Sequence, residues 1–170
     1  DGSVEGCFST LNFGSREEER FKAHDELYPD APKMCMEMWD GWFDAWGEEH
    51  HVTPPEKAGS ELEELLKQGS VNFYMFEGGT NFGFMAGRNG GSRTADVTSY
   101  DYDAPLTEDG QITTKYKLFR EIISKYAPVR EVPLTTEIKR KAYGKINCTG
   151  KTDLFSVLDK ISTPVKSNFP

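Results

Sequence analysis

Apolar residues at Ala58, Leu62, Leu65 and Leu66 fall at i, i+4, i+7 and i+8, the spacing of one helical face. Thr53 with Pro54 and Pro55 opens that segment, and Gly69 is placed to cap its end, so it predicts the clearest helix of the chain. A second helical face, Phe119, Ile122, Ile123 and Tyr126, ends before Pro128. Residues 4–13 mix apolar and small side chains and read as a strand. Ser15 and Glu18 have capping-box spacing, and a helix then runs to about Tyr28 with a thin apolar face of Phe21, Leu27 and Tyr28. The run from Lys33 to Trp39 has strand length and is expected to end near Glu37. Val71 to Phe76 is β-branched and aromatic and reads as a third strand. A long glycine-rich loop, Glu77 to about Gln111, separates that strand from the Phe119 helix; its length argues for a functional excursion.

The order strand, helix, strand, helix, strand, helix is a series of βα units, which build a parallel sheet and predict an α/β fold. After Pro128 the pattern changes. A cationic stretch at Lys139-Arg140-Lys141, a possible strand from Tyr143 to Asn147 and an amphipathic piece from Leu154 to Ile161 suggest a connector over residues 129–170, leading towards a β-rich module.

Length and charge narrow the functions. The chain has 170 residues, whereas a complete (β/α)8 barrel takes about 250. Asp and Glu outnumber Lys and Arg by 28 to 20, a net charge of -8. That surface repels a phosphate backbone, so no nucleic-acid partner is expected. No apolar run reaches the roughly 18 to 20 residues of a bilayer span, and no membrane partner is expected. The three cysteines, Cys7, Cys35 and Cys148, have no CxxC spacing and read as buried, reduced thiols. The glycine-rich loop meets neither GxxxxGK[ST] nor GxGxxG, and His50-His51 lacks HExxH spacing and reads as loop histidines. Hence no cofactor and no metal are expected.

Glu37 carries the most information. A carboxylate at the end of an apolar parallel strand is costly to bury unless it is paired or used. Strict alternation would place Cys35, Glu37 and Trp39 on one face. With Trp42 and Trp46 close behind, the indoles surround a carboxylate, and indole faces stack on the C–H face of a sugar ring. A strand-end salt bridge with the indoles in an ordinary core fits the same residues. Tyr100, Asp101, Tyr102 and Asp103 suit hydrogen bonding to sugar hydroxyls, and equally a solvated loop.

Three blocks remove much of that ambiguity. They are Met34-Cys35-Met36-Glu37-Met38-Trp39-Asp40-Gly41-Trp42-Phe43-Asp44-Ala45-Trp46-Gly47, the stretch from Ser70 to Gly83 and the stretch from Thr98 to Leu106. In this order they resemble the β-galactosidases of glycoside hydrolase family 35. The resemblance covers roughly residues 4–128, and Ala142-Tyr143-Gly144-Lys145 is similar to the stretch where that family leaves its barrel. It implies a partial (β/α)8 TIM barrel over residues 1–128, units six to eight. It also implies a retaining β-galactosidase acting on terminal β-D-galactose, with Glu37 as the nucleophile. Tyr74, Tyr100 and Tyr102 would lie around the galactose ring, and Trp42 would wall it. The family's acid/base is a Glu preceded by Asn, and this chain has no Asn-Glu dipeptide. The resemblance therefore implies a fragment, inactive alone, whose partners are the galactoside and the N-terminal barrel half and β-rich modules of the same enzyme. A non-catalytic galactoside-binding module is the alternative.

Overall fold

The structure, a computed structural model, describes residues 4–90, 94–131 and 139–166. Contacts divide the chain into two compact units, Asp1–Glu137 and Ile138–Pro170.

The first unit is built from β1 (Leu11–Phe13), α1 (Glu17–Leu27), β2 (Met34–Trp39), α2 (Pro55–Leu66), β3 (Ser70–Tyr74) and α3 (Thr114–Ser124). The strands form one parallel sheet in the order β1-β2-β3. Three βα units in sequence, with neighbouring strands paired, are what parallel connectivity through crossover helices produces. Phe13, Cys35 and Met38 of the sheet bury against Phe21 of α1, Ala58, Leu62 and Leu65 of α2, and Phe119 and Ile122 of α3. Phe13 meets Phe21 edge-on at 5.4 Å, and Phe73 stacks on Phe119 at 5.3 Å. Helices α2 and α3 approach closely at Gly59, where a Cβ would lie 2.8 Å from Leu118 Cδ2.

Several local expectations are corrected by this packing. Strand β1 has three residues rather than the ten of 4–13, because Gly6 adopts a left-handed φ of 81° within a turn. The Ser15–Glu18 capping box does not form: Arg16 is the N-cap of α1, its φ is 61°, and its side chain makes no capping hydrogen bond. In α1, Leu27 is 74% exposed, while Phe21, Glu17 and His24 occupy the buried face. Gly69 closes α2 with a standard φ; it is small because a Cβ there would sit 2.8 Å from the carbonyl oxygen of Lys33. Strand β2 continues to Trp39, and β3 ends at Tyr74, two residues before the expected Phe76. Of the cysteines only Cys35 is buried; Cys7 and Cys148 are exposed, and all three are thiols.

Strict alternation also fails in β2. The register slips between Cys35 and Met38 against β3, and between Leu11 and Asn12 against β2. An irregularity of this kind re-aims side chains. Cys35 and Met38, three apart, both enter the core, and Cys35 therefore leaves the face that Glu37 and Trp39 share.

The second unit contains α4 (Leu154–Ile161), with the bounds its apolar pattern predicts. Asp153 caps it by accepting the Ser156 N–H at 3.0 Å. The strand expected from Tyr143 to Asn147 does not form; an isolated strand has nothing to pair its backbone groups with.

Candidate active site

The C-terminal ends of β2 and β3 and the loops that follow them converge on one aromatic cluster. Glu37 is half-buried near the end of β2, and the indole Nε1 of Trp39 donates to its Oε2 at 3.1 Å. Trp39 pairs in register with Tyr74, the last residue of β3. The Tyr74 hydroxyl lies 3.3 Å from that of Tyr100. Tyr102 stacks on Tyr100 at 5.7 Å, meets Tyr74 edge-on at 5.6 Å and lies 6.2 Å from Trp42. Trp42 in turn meets Trp39 edge-on at 5.8 Å and stacks on Phe43 at 4.9 Å. Glu37, Trp42, Tyr74, Tyr100 and Tyr102 thus fall within one neighbourhood, although they come from three segments of the chain.

Burial pushes both loop phenols up from their ordinary range. For Tyr100 the hydrogen bond with Tyr74 adds to it, and for Tyr102 the nearby Tyr100 and the charge of Asp40 add to it. The charge of Glu37 reaches both phenols. These tyrosines therefore stay neutral and serve as hydrogen-bond groups or apolar walls. Tyr102 is 1% exposed, and among the described residues its hydroxyl has no hydrogen-bond partner.

Glycines permit the convergence. A Cβ on Gly41 would lie 1.8 Å from the Tyr102 carbonyl oxygen, and one on Gly78 would lie 1.6 Å from that of Tyr100. Neither position tolerates a side chain, since real Cβ atoms do not come that close. The Trp42 N–H donates to that Tyr102 carbonyl at 3.1 Å, and the Tyr100 N–H donates to Gly79 at 2.9 Å. The long loop is pinned further by Glu108, whose carboxylate accepts from Thr80 and, at 2.5 Å, from Ser99.

Two groups beside the cluster had no signal in the spacing. Asp40 is 1% exposed, and neither carboxylate oxygen has a partner among the described residues. Burial raises its pKa to about 7, against a lowering by the charge of Lys115. The histidines at 50 and 51 are ordered by one carboxylate, which a loop reading did not foresee. Asp44 accepts from the His51 N–H at 2.9 Å and lies 3.0 Å from His51 Nδ1 and 2.5 Å from His50 Nδ1. Those histidines hold Asp44 below its usual range, outweighing its burial, and Asp44 in turn raises His50.

Asp44, His50 and Asp101 have donor atoms within 4.8 Å of one another, close enough for a metal ion. Their geometry favours a carboxylate–imidazole–carboxylate ion bridge instead. Asp44 faces Nδ1 of His50 while Asp101 lies 3.7 Å from Nε2, so the two carboxylates meet opposite edges of the ring. A cleft of about 300 Å³ opens between the ends of β1 and β2 and helices α1 and α2, with Arg16, Arg20, Lys57, Trp39 and Trp42 in its lining. It touches the aromatic cluster through its indoles and does not include Glu37 or the tyrosines.

Comparison with known proteins gives this geometry a family. The profile of "Glycosyl hydrolases family 35" matches residues 1–126. The chain is 38% identical over 174 residues to "Beta-galactosidase" of Homo sapiens, covering 99% of this chain and 26% of that protein. It is 36% identical over 171 residues to "Beta-galactosidase-1-like protein 3" of Mus musculus, again covering 99% of this chain and 26% of the relative. It therefore spans about a quarter of the length of these relatives. Through that match, over the βα units that carry Glu37 and the tyrosines, the chain belongs to the glycosyl hydrolases of family 35.

Proposed function

We propose that the chain carries the nucleophile half of a retaining β-galactosidase site, with Glu37 as the nucleophile. The supporting observation is the position of Glu37 near the end of a parallel strand, one oxygen held by Trp39, which itself pairs in register with Tyr74. Strand ends of this polarity are where barrel enzymes place reacting groups. On this reading the three βα units are six to eight of a (β/α)8 barrel, spanning residues 1–128, and residues 129–170 connect to a β-rich module.

In the first step a Glu37 oxygen bonds to the anomeric carbon as the bond from that carbon to the leaving oxygen breaks. A second carboxyl group, about 5 to 5.5 Å away in retaining enzymes, protonates the leaving oxygen. Water, deprotonated by that same group, then displaces Glu37, and the configuration is retained. Trp42 supplies an apolar wall for the sugar, and Tyr74 and Tyr100 supply hydroxyls for its polar edge. The nearby aspartates suit the second role poorly: Asp40 is buried, and Asp44 and Asp101 flank His50. The acid/base therefore belongs to the rest of the enzyme.

In the full-length enzyme, Glu37→Gln is expected to abolish turnover while galactose binding stays within about tenfold, since an amide keeps the shape but cannot attack. Retention of a tenth of wild-type kcat removes Glu37 from the role. A non-catalytic galactoside-binding module that reuses the same aromatic cluster is the second reading. It predicts saturable galactoside binding with no hydrolysis by the wild-type full-length protein.

A further inference from the structure

We propose that Lys115 is a positioning residue of this site, fixing Tyr102 and Trp42 through a buried ammonium clamp. The inference rests on the galactosidase reading above. Lys115 lies in the first turn of α3, and its side chain is 3% exposed. Its Nζ donates to the Asp40 carbonyl at 2.8 Å, the Asp103 carbonyl at 2.5 Å and the Asp103 carboxylate at 2.8 Å. An ammonium has three donors, and here all three are used.

The clamp spans every loop that shapes the aromatic cluster. Asp40 follows β2 directly and leads into Gly41 and Trp42. Asp103 follows Tyr102, and both are non-glycine residues in the left-handed region, with φ of 62° for Tyr102 and 52° for Asp103. Such a conformation is strained for a residue that carries a Cβ and persists only when its surroundings enforce it. The Asp103 carboxylate also accepts the Thr53 N–H at 2.8 Å, which ties in the segment entering α2. Tyr102 is 1% exposed and its ring packs against Tyr74, Tyr100 and Trp42, so a shift of its backbone moves all three.

Charge and shape both point to lysine. A buried cation is stable only when paired and fully hydrogen-bonded, and the Asp103 carboxylate supplies the counter-charge. Arginine would bring a planar fork in place of three donors diverging from one atom.

The test uses the full-length enzyme carrying Lys115→Met, Lys115→Arg and, as a control, Ile122→Ala. Ile122 lies in the core on the same helix, where its side chain packs towards Gly59 of α2. At a temperature well below each variant's Tm, Lys115→Met is expected to raise KM for an aryl galactoside, and Ki for a galactose-like inhibitor, by about 10- to 100-fold. That is the scale of a misplaced binding group. Lys115→Arg should shift both in the same direction by at least about threefold, and Ile122→Ala should lower Tm while leaving both unchanged. Wild-type KM and Ki in Lys115→Arg, with Lys115→Met also wild-type or unfolded, overturns the inference while leaving Glu37 in its role. Equal changes in Ile122→Ala also overturn it, by showing that lost stability is enough. Full activity in Glu37→Gln overturns the underlying reading, and the inference with it.

Discussion

Asp40 carries a carboxylate into a buried site where, among the described residues, neither oxygen has a side-chain partner, and burial raises its proton affinity. The sign of the resulting pH dependence follows from linkage. Below about pH 4 the group is protonated in both folded and unfolded chains, and folding gains the full benefit. As pH climbs towards about 7 the unfolded carboxyl ionises first, so folding stability drains away, by about 1.4 kcal/mol for each pH unit. Asp40→Asn should therefore flatten the loss of stability between pH 4 and pH 7, measured as urea midpoints at several pH values. A slope identical to wild type would mean that Asp40 titrates normally. Glu17 is a second buried acid raised by burial and by its hydrogen bond with Glu61, so it leaves the same sign of slope in both proteins and does not blur the comparison. The two kinds of site residue differ in how they could be read. Glu37 and the tyrosines sit in contiguous blocks whose composition is informative by itself. Lys115 meets Asp40 across 75 positions, and nothing local to a lysine in the first turn of a helix marks it as buried.

At the scale of elements, packing decided what periodicity left open. Helices α2 and α3 have wide apolar faces, and their existence and type were legible from spacing alone. Helix α1 has a thin face, and tertiary contacts gave its buried positions to Phe21, Glu17 and His24 while leaving Leu27 in solvent. Leu62→Ala in α2 should accordingly cost about 2 to 5 kcal/mol, the range for emptying a packed core site. Leu27→Ala should change stability by no more than about 0.5 kcal/mol, as exposed positions do. Denaturant midpoints with unchanged m-values check both, and comparable losses at the two positions would contradict the assignment of the core. The irregularity in β2 was invisible in the sequence because a register slip is set by the neighbouring strands, and a run such as Met34 to Trp39 carries no glycine or proline to mark it. The capping box failed for a related reason: Ser15 lies one residue too early once Arg16 takes the left-handed turn into α1. Nothing in the sequence marks Gly41 or Gly78 as a point of close approach, yet each admits a carbonyl of the facing tyrosine loop.

For the molecule as a whole, the three-stranded sheet has β1 and β3 as its edges, and on the proposed reading the rest of a barrel pairs with them. The 170-residue chain alone should then show no hydrolysis of an ordinary galactoside. General acid catalysis contributes about 10² to 10⁴ in rate, and the leaving oxygen would depart without it. An activated aryl galactoside partly bypasses the acid, so slow turnover of it that vanishes on Glu37→Gln needs only the nucleophile; hydrolysis of an ordinary galactoside by the chain alone would mean that a local aspartate supplies the second carboxyl group. Mixing with a separately produced N-terminal half should restore activity only if the two halves dock, because the two carboxyl groups must come within about 5.5 Å.

The central claim, that Glu37 is the nucleophile, is tested most directly by trapping. A 2-deoxy-2-fluoro-galactosyl substrate with a good leaving group forms the covalent intermediate and slows its breakdown, and peptide mapping by mass spectrometry locates the adduct. Incubated with the full-length enzyme, it should inactivate with one equivalent bound and place the adduct on the peptide containing Glu37. An adduct on any other residue, or labelling that proceeds unchanged in Glu37→Gln, would contradict the account.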